Sequence, residues 1–66
     1  MSRHRALFDV DQVVQIRIGV EWFAGTVVAL QHRRHLNGWA YLVRIAFDTS
    51  DELVWFAERH LVRMNP

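Results

Sequence analysis

Strand-forming residues interrupted by one polar break dominate the last third of this chain and leave few folds open to it. Tyr41-Leu42-Val43-Arg44-Ile45 precedes the break Asp48-Thr49-Ser50-Asp51-Glu52. Leu53-Val54-Trp55-Phe56 follows it, and Ala57-Glu58-Arg59-His60 leads into Leu61-Val62. The pattern predicts a strand, a turn, a strand at 53–56, a tight link and a last strand at 61–64; four residues are too few for a helix but fit one 3₁₀ turn. The same period of two appears upstream, where Val14, Ile16 and Ile18 share one face and Gln15 and Arg17 the other. Gly19-Val20-Glu21 reads as a turn, and residues 22–30 as a second strand whose Gly25 marks a bulge or a close backbone approach. Residues 31–38 read as a polar loop ending in Asn37-Gly38, a pair that favours a left-handed turn. A third strand at 39–47 points Tyr41, Val43 and Ile45 inward and Arg44 outward. β-Branched and aromatic residues prevail and no stretch keeps a 3.6-residue period, so the expected fold is all-β and five-stranded. Residues 1–8 read as a flexible tail, and 9–66 as one domain.

A 66-residue chain buries only about 60% of its unfolded surface, so its stability is marginal without a staple. Cysteine is absent, which removes disulfides and thiolate metal sites and fits a reducing cytoplasm. Against that small core stand eight aromatic residues: Phe8, Trp22, Phe23, Trp39, Tyr41, Phe47, Trp55 and Phe56. A barrel of this size cannot enclose them all, so some are expected in a groove or a subunit interface. No apolar run approaches the ~20 residues of a membrane-spanning helix, and no apolar stretch follows the basic start Arg3-His4-Arg5 to make a secretory signal. The expectation is a cytoplasmic protein without a membrane partner. Net charge is +1, too small to draw the whole molecule to nucleic acid.

Residues 9–64 resemble the SH3-like superfamily, and within it Tudor- and Agenet-type barrels. The resemblance lies in Val14-Gln15-Ile16-Arg17, Glu21-Trp22-Phe23-Ala24-Gly25-Thr26-Val27, Tyr41-Leu42-Val43-Arg44, and Val54-Trp55-Phe56 through Leu61. It implies an SH3/Tudor-like barrel acting as a binding module. In Tudor domains an aromatic cage reads methylated lysine or arginine through cation–π attraction. The resemblance would place Phe23, Phe47 and Trp55 near cage positions with Asp48 as a carboxylate, although Ile45 stands where an aromatic is common. More distantly, Gly19 to Val28 and Leu53 to Met64 resemble the plasmid-type (type B) dihydrofolate reductases, in which four such barrels enclose one pore for folate and NADPH. Leu53-Val54-Trp55-Phe56 replaces their Val-Gln-Ile-Tyr motif, and the chain has no lysine. Val54 lacks the amide and Phe56 the hydroxyl of that motif, so the resemblance extends to the fold rather than to reductase chemistry.

Three functional readings follow. The first is a non-catalytic module that binds a protein segment, or a second copy of itself as a dimer or higher assembly, through an aromatic groove of Trp22, Phe23, Trp39, Phe47 and Trp55. The second is nucleic-acid binding by Arg33 and Arg34 of the polar loop with Arg3 and Arg5 as a basic arm. The third is an oligomeric small-ligand or reductase-like barrel. His32 and His35 alone are too few to hold a metal, and no cofactor is expected. Asp48, Asp51 and Glu52 sit in a water-exposed turn where nothing separates their pKa values for acid–base work. His60 reads as a partly buried structural histidine.

Overall fold

Each strand of the computed structural model, which describes residues 5–64, can be traced to the alternation above. The first strand, β1 (Val13–Ile18), and the second, β2 (Glu21–Arg33), form a hairpin across the two residues Gly19 and Val20. Gly19 has φ +66°, the positive value that a hairpin turn with glycine in first place requires. The register pairs Val14 with Gly25 and Ile16 with Phe23 on the core face, and Gln15 with Ala24 and Arg17 with Trp22 on the other. Ile18, expected on the buried face, is 42% exposed, because β1 runs past the end of the core there.

β2 is 13 residues long and serves two partners. Along its first half it pairs with β1; from Gly25 onward it pairs with β3 (Gly38–Ala46), and the register slips by one residue between Val27 and Ala29. That bulge bends the strand and increases its twist, which allows one strand to belong to both halves of a curled sheet. The sequence placed the irregularity at Gly25; the structure puts the close approach there and the bulge three residues on. Gln31, His32 and Arg33, expected in a loop, continue the β2–β3 ladder out to the pair Arg33–Gly38. Beyond the core both faces of a hairpin meet water, so polar residues there say nothing against a strand. A 3₁₀ turn at Arg34–Leu36, also unexpected, closes the hairpin, and Asn37 takes the left-handed conformation (φ 54°) foreseen for the Asn-Gly pair.

β4 (Asp51–Ala57) pairs with β3 in unbroken register from Ala46–Asp51 to Ala40–Ala57, so Asp51 and Glu52 belong to the strand and not to the turn before it. The anticipated second 3₁₀ turn, Glu58–His60, then hands the chain to β5 (Leu61–Arg63), which returns to pair with β1. The result is one five-stranded antiparallel sheet in the order β4-β3-β2-β1-β5. Val14, Ile16, Val27, Tyr41, Val43 and Ile45 are fully buried on its concave side, with Leu61 and Phe8 nearly so. Each such side chain contributes about 1.5–3 kcal/mol.

Phe8, counted with the tail in the sequence reading, is a core residue, 4% exposed and edge-on to Tyr41 at 5.3 Å. Behind it, a turn ties the segment to β2: the Asp11 N–H donates to the Val27 carbonyl at 2.7 Å, and the Val27 N–H donates to the Gln12 carbonyl at 3.0 Å. Arg3 and the rest of residues 1–4 lie outside the described residues.

Candidate functional site

Successive residues of a strand point to opposite faces, and that parity decides where the aromatic side chains go. Phe23 pairs with buried Ile16 and lies on the core side; its ring meets Phe47 edge-on at 5.3 Å, and both pack against the core. Trp39 shares the facing of Tyr41 and also packs on the core, with His32 edge-on to it at 5.2 Å. Trp22 pairs with Arg17 on the outer face and is 53% exposed. Trp55 pairs with Leu42, likewise outward, and is 43% exposed. Trp39 and Phe47 stand at opposite ends of β3, roughly 26 Å apart at the usual rise per residue. The five aromatics thus do not line a common groove. Nor do the three cage candidates meet: Phe23 and Phe47 touch, while Trp55 is on the other side of the sheet.

What the outer face does assemble is a different set. The Arg33 side chain leaves the end of β2 and places its guanidinium 5.0 Å from the centre of the Trp55 ring. Its Nε is buried and has no hydrogen-bond acceptor among the described residues. Beside Trp55 along β4 comes Leu53, paired with Arg44 and 58% exposed, and then the Asp51 carboxylate, whereas Glu52 pairs with buried Ile45 and has the opposite facing. Sequence reading missed Leu53 and the role of β4 as an edge. The parity of 53 and 55 was available; the order of strands was not. β4 ends the strand order, so among the described residues no strand pairs with its outer side, and alternate backbone N–H and C=O groups there lack ladder partners.

Of the basic candidates, Arg34 and Arg5 are exposed, as is His35. Arg33 is partly buried and its charge is engaged by Trp55. His60 is exposed, a correction to the buried role expected of it: it ends the 3₁₀ turn facing water, while Glu58 of the same turn faces inward. Among the described residues no three His, Asp or Glu side chains group closely enough to hold a metal, and no helix is long and apolar enough to cross a membrane. A depression of about 150 Å³ lies on the outer face between Val13, Thr26, Arg44 and Asp51. It is smaller than the roughly 300 Å³ at which small-molecule sites begin.

One polar node is built into the core wall. The Tyr41 hydroxyl donates to Glu58 Oε2 at 2.5 Å and accepts from the Leu7 N–H at 3.0 Å, and the same N–H reaches Glu58 Oε2 at 3.1 Å. Burial, reinforced by the bond to Glu58, pushes the Tyr41 hydroxyl from its ordinary 10 up to about 12. The folded state thus favours the neutral phenol. Its contribution, on the order of 2–3 kcal/mol, is fully present below pH ~10 and is lost as pH rises through 10 to 12. The sequence makes this window clean, since Tyr41 is the sole tyrosine and the chain has neither lysine nor cysteine. Thermal midpoints should fall across that window while tyrosinate absorbance rises with a midpoint well above 10. Tyr41→Phe should lower stability by about 1–2 kcal/mol at neutral pH and flatten the alkaline limb. A tyrosinate midpoint at 10 would show the node to be open to solvent.

Comparison with known proteins finds no match to this chain among family models, curated proteins or solved structures.

Proposed function

We propose that this chain is a non-catalytic protein-interaction module of the SH3-like barrel kind, and that it docks an extended protein segment along the free edge of β4. The strand order, with β1 between β2 and β5, and the 3₁₀ turn before the last strand support the barrel assignment. The observation that carries the docking reading is the edge itself: seven residues in unbroken register, no proline and no bulge, beside exposed Leu53 and Trp55. An added strand would take its affinity from main-chain hydrogen bonds and its specificity from alternate side chains lying on Leu53 and Trp55. The Arg33 guanidinium over Trp55 holds that ring in place and offers a charge to an acidic side chain.

Titrating the labelled domain with extended peptides of alternating apolar and acidic residues, and following backbone amide signals, tests this. Shifts should concentrate at residues 51–57. Trp55→Ala should weaken binding at least about tenfold, or ~1.4 kcal/mol, while leaving the half-exposed position's effect on folding small. Shifts confined to the Phe23–Phe47 end would place the site elsewhere. Oligonucleotide binding that falls steeply with salt and vanishes with Arg33→Ala and Arg34→Ala combined would favour the nucleic-acid reading instead.

A further inference from the structure

We infer that the segment received by the β4 edge is β4 of a second copy of this chain, paired antiparallel about a two-fold axis through Val54; this rests on the edge-docking reading above.

Natural sheets blunt their edges with charged side chains, proline, bulges or very short strands. β5, at the far edge, is only three residues long. β4 is seven, without proline or bulge, and its charges are confined to Asp51 and Glu52 at one end, so that Leu53 and Trp55 stand exposed beyond them. On its core side, Val54 and Phe56 remain only half-buried although the β3 residues opposite them, Val43 and Tyr41, are fully buried. The core is therefore unfinished along this edge, and a neighbouring strand would complete it.

Charge selects the orientation and the occupant. Asp51 and Glu52 lie at the start of β4, whereas the Arg33 guanidinium sits over Trp55 near its end and Arg59 follows in the 3₁₀ turn. The edge is acidic at its first end, where β4 supplies both charges, and basic at its second, where Arg33 of β2 and Arg59 of the 3₁₀ turn supply them, which makes it complementary to itself when reversed. Pairing about Val54 sets Leu53 opposite Trp55 of the second copy, twice over, as an isologous interface requires. It also sets Asp51 opposite Ala57 of the second copy, diagonal to its Trp55 and within side-chain reach of its Arg33. A carboxylate there is drawn to the charge of the guanidinium as a whole, while Nε itself stays buried within its own chain. A parallel pairing would set acid against acid. For a 66-residue chain without disulfides, joining two sheets into one of ten strands also supplies the missing staple.

Sedimentation of the full chain, with charge reversals on each side of the contact, tests this. The wild type should run at twice its 7.8 kDa mass at micromolar concentration. Arg33→Asp and Asp51→Arg should each dimerise at least about tenfold more weakly, because each meets two like-charge contacts. An equimolar mixture of the two should recover a mixed dimer, since both contacts then join opposite charges. Circular dichroism reports whether each variant folds; Leu53→Lys, at an exposed position, provides a second disruption and should give monomer. A wild type that stays monomeric at every concentration overturns self-pairing. So does a dimer indifferent to Leu53→Lys, or a mixture of folded variants that fails to recover association. A monomer whose β4 amides still shift with added peptides overturns self-pairing alone, whereas one that shows neither effect overturns edge docking as well.

Discussion

Gly25→Ala is expected to remove most of the protein's folding stability. A Cβ at position 25 would lie 2.4 Å from Val43 Cγ1, 3.0 Å from Ile16 Cδ1 and 3.2 Å from the Arg44 carbonyl oxygen. Neither side chain can retreat, for Val43 and Ile16 are both fully buried, and Gly25 is itself laddered on one side to Val14 and on the other to Ile45. Forcing a methyl group into such a site costs about 3 kcal/mol. A domain of this size holds roughly 3–5 kcal/mol in all. The loss should appear as a collapse of the denaturant midpoint. The double variant Gly25→Ala with Val43→Ala should recover part of it, because removing Cγ1 relieves the closest contact and the two changes are coupled. A single variant that melts like wild type would mean that the two strands can separate at little cost, contrary to the packing seen.

The second large effect concerns Phe8. Truncating it to alanine removes the ring that packs edge-on against Tyr41 and should cost about 3–4 kcal/mol, comparable to the whole stability of the domain. Deleting residues 1–8 should be at least as damaging, since it also removes the Leu7 N–H from the Tyr41–Glu58 node. Denaturant melts of both variants give the answer. If the deletion melts as the full chain does, Phe8 is an ornament on a core that is complete without it.

These two positions also show what can be read from a sequence of this kind. Gly25 was legible as a place where a side chain would not fit, because a glycine inside an apolar strand gives up packing area and marks a close approach or a bulge. Val14 with Ile16, and Tyr41 with Val43 and Ile45, declared the core face by strict alternation. The Ala57-to-His60 link, too short for a helix between two strands, declared the 3₁₀ turn. Phe8 gave no such sign: one aromatic between Leu7 and Asp9 has no periodic neighbours, and its burial depends on Tyr41, 33 residues away. The polar end of the β2–β3 hairpin was illegible for the opposite reason, since a strand beyond the core carries no apolar alternation. The supposed aromatic groove could have been questioned from the sequence alone, because Trp22 and Phe23 are adjacent in one strand and must face apart. What could not be read is that β4, and not a cluster of rings, would be left open, for strand order is a property of the whole chain.

The strand order has a last consequence, for the sequence of events by which the chain assembles. Three of the four strand pairings join neighbours along the chain, β1 to β2, β2 to β3 and β3 to β4, so each closes a short loop and can form early. The fourth brings β5 back to β1 across more than forty residues and rests on three paired positions, Val14–Arg63, Gln15–Val62 and Ile16–Leu61. The meander of four strands is thus the expected nucleus, and the return of β5 the expected late step. In the native state that late step should be the first to reverse: amide protons of β5 are expected to exchange fastest among the strands, and each such opening would bare Val14 and Ile16 from the side. On that expectation the shortest strand sets the rate at which the molecule breathes.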